Sequence, residues 1–255
     1  MTPFYRVVSG LFLTGFRALG IDLRSVGHEN IPDEGPAVLA SNHVGYLDFA
    51  FVCLAPPPPR RQVDFLARDD FFRIPVAGRL LHRLGTIPVD VHGDPMRAAR
   101  AAGSVLDRGG LIGIHPEGTI SPSFVPRRAK SGAVRLAELA DAPIVPVAIW
   151  GSQRLLTKGR PVRPQRGVTV VVRYGEPFRP QGRTAMGRSA QLMDRIGRLL
   201  AETQAGYPQR PAPPPHDWWQ PAHLGGSAPT PEEAEALLRQ QDEQRRAARR
   251  GATQD

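Results

Sequence analysis

An α/β domain built on a mixed, largely parallel central sheet flanked by helices is the fold class this sequence predicts, and three observations predict it. Short runs rich in apolar and β-branched residues alternate with segments of helical periodicity from Ala37 to Thr203. Two of the runs, AVLAS and LIGIH, lead directly into polar stretches, SNHVGYLD and HPEGTIS, as strands of such sheets lead into the loops that carry sites. After Gly206 the composition turns abruptly to proline, glycine and charge, so the alternation stops and a disordered or extended C-terminal tail is expected.

The elements follow in order. FYRVVSGLFLTGFRALGI reads as an amphipathic N-terminal helix, interrupted by Arg6 and Arg17 and therefore unsuited to crossing a bilayer. Phe4, Val7, Val8, Leu11, Phe12 and Phe16 are its apolar contacts, and two surfaces are open to them: a membrane or the domain's own core. GHENIPDEGP is a turn into the strand AVLAS, Ala37 to Ser41. His43 to Asp48 forms a strand-to-helix junction, and FAFVCLA continues as a short helix that Pro56 to Pro59 stop. Gln62 to Ala67 is a second strand, followed by a helix from Phe71 to Leu84 broken near Pro75 and Gly78. Thr86 to Asp90 is a third strand. Asp94 as N-cap and Pro95 at the first helical position open a helix that runs to Arg108 and ends at Gly109 and Gly110. Leu111 to His115 is a strand, Lys130 to Ala140 a helix, Pro143 to Trp150 and Gly167 to Gly175 strands, and Gly187 to Thr203 a last amphipathic helix. Glu232 to Arg250 has helix-forming composition with few apolar residues, and Trp218 and Trp219 are candidates to pin the tail to the domain or to a membrane. The chain thus divides into an N-terminal amphipathic helical segment open to a membrane interface (1–30), a domain (31–205) and a Pro-rich linker with a charged tail (206–255).

Charge bounds the partners. Residues 1–205 hold 27 Lys and Arg against 17 Asp and Glu, whereas 206–255 hold 6 against 7, so the excess of about ten positive charges belongs to the folded part. Anionic partners follow from this, among them a phospholipid surface, a phosphate ester or coenzyme A; nucleic acid is disfavoured, because the arginines do not interleave with aromatics and no nucleic-acid-binding motif is present. A bias to arginine accounts for part of the excess, since Lys130 and Lys158 are the only lysines. The single cysteine, Cys53, excludes an internal disulfide and suits a reducing compartment. It sits in an apolar run and reads as a core thiol.

The chemistry centres on His43 and Asp48. An imidazole at a strand end, followed by a carboxylate that can orient it, suits a general base. Spacing alone does not carry the inference, because His28 and Asp33 show the same H-x4-D pattern inside a Pro/Gly-rich turn. The apolar strand before His43, Asn42 beside it and the apolar run after Asp48 set the two pairs apart. In HPEGTIS, Glu117 follows a second strand, where it can bind hydroxyls or hold a neighbouring loop, and Gly118 allows close backbone approach. No G-x-S-x-G elbow or activated cysteine is visible, which disfavours a serine or thiol hydrolase.

Taken together, NHVGYLD (42–48), IPVAGRLLHRLGTIPVD (74–90), HPEGTIS (115–121) and APIVPVAI (142–149) resemble, in that order, the blocks of the PlsC-like glycerolipid acyltransferases, the 1-acylglycerol-3-phosphate acyltransferase family. The resemblance implies a glycerol-3-phosphate acyltransferase-like fold and an O-acyltransferase. His43 would be the general base, Asp48 its partner, and Glu117, Gly118 and Thr119 the shapers of the acceptor pocket. Acyl-CoA or acyl carrier protein would be the co-substrate and a lysophospholipid the acceptor, with no cofactor and no metal. The enzyme would lie peripherally on the cytoplasmic face of the membrane. Where the family pattern usually carries Arg after E-G-T this chain has Ile120, so the cation for the acceptor's phosphate is sought at Lys130 or Arg68, with Arg127 and Arg128 as neighbours. His115 replaces the usual aromatic before P-E-G-T and reads as a packing change. The missing arginine also admits another lysophospholipid or glycolipid acceptor, and a non-catalytic basic membrane-binding protein is the reading from a different class.

Overall fold

The computed structural model describes residues 1–55, 61–90, 93–162 and 165–251. The proline stop at Pro56 to Pro59 lies outside them. Seven strands form one sheet: β1 (Asp22–Val26), β2 (Ala37–Ser41), β3 (Val63–Arg68), β4 (Ile87–Val89), β5 (Leu111–Ile114), β6 (Ile144–Trp150) and β7 (Thr169–Tyr174). Their spatial order is β1-β7-β6-β2-β5-β3-β4, parallel throughout except between β6 and β7. β2 sits in the centre, which is why all five of its residues are buried. Ala37 and Leu39 enter one core layer, with α1 (Pro3–Ala18) and α2 (Asp48–Leu54); Val38 and Ala40 enter the other, with α4 (Pro95–Asp107), α5 (Gly132–Leu139) and α6 (Ala185–Ala205).

Local chemistry sets the helix boundaries. Thr2 caps α1 by accepting from the Tyr5 N–H at 3.2 Å, and Asp94 caps α4 by accepting from Met96 at 2.8 Å. Gly20, at φ +63°, turns the chain out of α1 and into β1. β1 is absent from the sequence expectation, which runs the first helix to Ile21, assigns no element to 22–26 and opens a turn at Gly27. As an edge strand it pairs only with β7 and alternates exposed with half-buried residues, so it carries no apolar run to betray it. The sheet therefore reaches back to residue 22.

A second difference concerns Phe71 to Leu84. The break falls where expected at Pro75, between a 3-10 turn (Asp69–Arg73) and α3 (Pro75–Arg83), but Gly78 lies inside α3. A Cβ there would sit 2.2 Å from the carbonyl oxygen of Phe72, so the glycine serves to let the turn fold back on the helix.

On α1, Val8 and Phe16 are buried and Phe4 and Phe12 half-buried, while Val7 and Leu11 face outward. Most of its apolar side therefore packs on the domain. The tail has little regular structure between 207 and 230 but is docked: Tyr207, Trp219 and Ala228 enter the core layer beneath α1 and α2. Trp219 meets Trp150 and Tyr207, with the Arg154 guanidinium 4.7 Å over its ring, and Trp218 lies against Phe124. The two tryptophans thus pin the tail to the domain. The helix α7 (Pro231–Gly251) follows, with Ala234 and Leu238 buried.

Candidate active site

The C-terminal ends of β2 and β5 lie side by side, and they bring the two polar stretches together. His43 leaves β2 two residues past Ser41, and its Nδ1 lies 2.9 Å from Oδ2 of Asp48, the first residue of α2. Asp48 is 0% exposed, and the same Oδ2 accepts from the Val44 and Gly45 N–H groups at 2.7 and 2.8 Å. Ser152 donates its hydroxyl to Oδ1 at 2.5 Å. Burial alone would raise this carboxyl, but the hydrogen bond and charge of His43, with Ser152, outweigh it and hold it below the usual carboxylate range. An ionised Asp48 fixes the tautomer: Nδ1 carries the proton and Nε2 presents a lone pair. The His43 side chain keeps 18% exposure, so a substrate can reach that nitrogen.

Close packing enforces the turn. A Cβ on Gly45 would stand 3.0 to 3.3 Å from the carbonyls of Leu156 and Ser152 and from Asp48 Oδ1. Thr157 donates to the Val44 carbonyl at 2.7 Å, and the Tyr46 N–H donates to Leu156 at 2.9 Å. Asn42 clamps the other side, exchanging two hydrogen bonds with the Ile149 backbone of β6 at 3.1 and 2.8 Å.

Glu117 joins this turn to the second loop. Its Oε1 accepts from the His43 N–H and its Oε2 from the Arg127 N–H, both at 2.9 Å, and the side chain is 3% exposed. Of the two roles open to it in the sequence, holding the loop fits this geometry; binding a substrate hydroxyl does not, because both oxygens are taken and sealed away. Burial pushes its pKa up to about 8, although both N–H groups favour the charged form. The Ser121 N–H donating to the His43 carbonyl adds a second tie.

The remaining expected residues are placed as follows. Gly118, at φ +71°, lies under Lys130: a Cβ there would stand 3.3 Å from Nζ. Thr119 is half-buried next to it. Ile120 is buried, so no cation projects from that position. Arg127 is turned away, paired with Glu235 of α7 at 2.8 Å. Arg68 ends β3, one strand beyond β5, and pairs with Asp70 at 2.7 Å. The structure therefore gathers His43, Asp48, Glu117, Gly118 and Lys130, and leaves Arg68 at the margin.

Sequence reasoning missed the role of His115. Its ring stacks on His43 with centroids 3.9 Å apart and planes 4° from parallel, while its Nδ1 lies 2.9 Å from the Ser41 hydroxyl. Burial, then the neighbouring His43, lower its pKa to about 3, so it stays neutral. The departure from an aromatic before P-E-G-T was the available signal. Ser152, 104 residues from Asp48, gave none. His43, Asp48 and His115 each bring a potential ligand atom within 4.8 Å of the others. Within this group Nδ1 of His43 is turned to Asp48 and Nδ1 of His115 to the Ser41 hydroxyl.

A family model described as Acyltransferase matches residues 22–150, just over half of the chain and the span from β1 to the end of β6. The chain belongs to the acyltransferase family. It is similar to the 1-acyl-sn-glycerol-3-phosphate acyltransferases of Bacillus subtilis, 30% identical over 135 residues, and of Borreliella burgdorferi, 28% identical over 148 residues. These alignments cover 52% and 54% of this acyltransferase-family chain, and 66% and 55% of the relatives' lengths. Among solved structures, the 1-acyl-sn-glycerophosphate acyltransferase PlsC of Thermotoga maritima shares the fold, with a TM-score of 0.66 over 80% of this chain and 81% of that one, at 23% identity.

Proposed function

We propose that this protein is an O-acyltransferase that moves a fatty acyl group from acyl-CoA or acyl carrier protein to the free hydroxyl of 1-acylglycerol-3-phosphate. One observation carries the reading: a partly exposed imidazole whose Nδ1 is held at 2.9 Å by a fully buried, ionised carboxylate. Nε2 of His43 takes the proton of the acceptor hydroxyl as its oxygen attacks the thioester carbonyl. Asp48 stabilises the imidazolium that develops, as the C–S bond breaks His43 returns the proton to the leaving thiolate, and no acyl-enzyme is needed. Glu117 acts as a positioning residue, by fixing the loop of Gly118 and Thr119 against the His43 turn. Lys130, over Gly118, is the cation best disposed for the acceptor's phosphate, since Ile120 supplies none. Arg68 would have to exchange Asp70 for the phosphate, so its part is secondary.

The names of the relatives support this acceptor, and the loss of the arginine favours testing others beside it. No helix among the described residues is long and apolar enough to cross a membrane. The lipid acceptor, the basic domain and the outward Val7 and Leu11 of α1 support a peripheral position on the membrane, for which we propose the cytoplasmic face. The test is a panel of lysophospholipid acceptors offered with one acyl-CoA and scored by product mass. Diacylglycerol phosphate from 1-acylglycerol-3-phosphate is the expected product. A product from a different headgroup alone would reassign the acceptor, and no product from any acceptor, with acyl-CoA or acyl carrier protein, would contradict the reading.

A further inference from the structure

We propose that the shoulder made by the 3-10 turn Asp69–Arg73 and α3 is a second lipid-contact surface, which lies on anionic headgroups alongside α1. The proposal rests on the lipid-acceptor reading above and adds a place on the molecule. Phe71, Ile74 and Val76 follow one another along this shoulder with 40%, 53% and 78% exposure, a run of large apolar side chains turned to solvent from one short stretch. They are not needed for the domain's own packing: α3 holds to the domain through Leu80, Leu81 and Leu84, which are half-buried, and through the turn folded back over Gly78.

Three features point to a bilayer. Cations border the apolar run: Arg73, which pairs with Asp69 at 3.3 Å, Arg79 and Arg83 are all exposed within ten residues of Ile74. The shoulder is continuous with α1, because the Arg83 guanidinium lies 5.5 Å over the Phe4 ring, so that outward Val7 and Leu11 belong to the same flank. It also reaches the site: Phe71 meets the edge of Tyr46, three residues from His43, at 6.3 Å between centroids. A lipid acceptor rising from the headgroup layer along this edge would arrive beside the imidazole. Two apolar residues on α1 make a weak anchor by themselves, and three more with flanking arginines make a two-signal one. A second copy of the chain is the poorer occupant, since a two-fold contact through this face would bring the same three arginines of each copy together.

The experiment is co-sedimentation of the full chain with vesicles, either phosphatidylglycerol mixed with phosphatidylcholine or phosphatidylcholine alone. Ile74→Glu/Val76→Glu is expected to lower the apparent affinity for the mixed vesicles by at least about tenfold, and Arg79→Glu to weaken binding to mixed vesicles only. Both variants should melt like wild type by circular dichroism, because the altered side chains are exposed. Vesicle binding by Ile74→Glu/Val76→Glu equal to wild type would overturn the proposal, as would a change in gel-filtration mass with vesicle binding intact. His43→Ala separates the two claims. If wild type and His43→Ala bind vesicles alike and wild type transfers no acyl group, the catalytic reading fails and this surface stands.

Discussion

His43 with Asp48 and His28 with Asp33 have the same spacing, and only the first pair forms a site. His43 follows the central strand, and Asp48 opens a helix with its carboxylate sealed beneath Ser152, Val44 and Gly45. His28 lies in a short 3-10 turn, half out in solvent, with its Nδ1 3.8 Å from Glu29, and Asp33 is exposed. The difference teaches that four intervening residues specify nothing by themselves. What makes a carboxylate orient an imidazole is removal of water from the carboxylate and enough donors to keep it charged there.

The contrast can be broken most sharply at His43. His43→Ala is expected to lower turnover by about 10²–10⁴ in an acyl-transfer assay while the circular dichroism spectrum stays native. Asp48→Asn should come close to that loss, because the amide can present a donor to Nδ1 and favour the wrong tautomer. It should also flatten the acid side of the stability profile. A depressed pKa contributes stability that is fully present above the ordinary carboxylate value and lost as the pH falls from there through the lowered one, so the melting temperature of Asp48→Asn should respond less to acid than that of wild type.

Glu117→Gln comes next, with an expected cost of about 1–3 kcal/mol in denaturant unfolding, because an amide presents one acceptor oxygen where two N–H groups now each meet a carboxyl oxygen. The sign of its pH effect is opposite to that of Asp48. A pKa raised to about 8 from an ordinary 4.5 means stability that declines as the pH rises between those values, and the substitution should remove that decline. Lys130→Ala should raise the KM for the acceptor more than it lowers kcat, and an unchanged KM would take Lys130 out of the phosphate site. At the small end, His28→Ala and Asp33→Asn should leave turnover unchanged and stability within about 0.5 kcal/mol of wild type.

The legible parts of the molecule were those fixed by neighbours in the chain. The caps of α4, the fully buried β2 and the strand-to-helix junction at His43 depend on a few consecutive residues, and they appear where the pattern puts them. β1 was not legible, since an edge strand with one partner needs no apolar run. The docking of Trp219 was legible only as one of two choices, domain or membrane, because its burial depends on Trp150 and Tyr207 from other parts of the chain. The site divides in the same way. His43, Asp48 and Glu117 could be named from their stretches, whereas Ser152 against Asp48, and His115 flat against His43, come from folding that joins distant segments.

The state of the His43 ring bears most directly on the account. In nitrogen-15 NMR of imidazole-labelled protein at mildly alkaline pH, Nδ1 of His43 should carry the proton and Nε2 should show the shift of an unprotonated nitrogen, with the preference weakened in Asp48→Asn. A proton found on Nε2 in the wild-type protein would contradict it, because the nitrogen facing the substrate would then have no lone pair with which to act as a base.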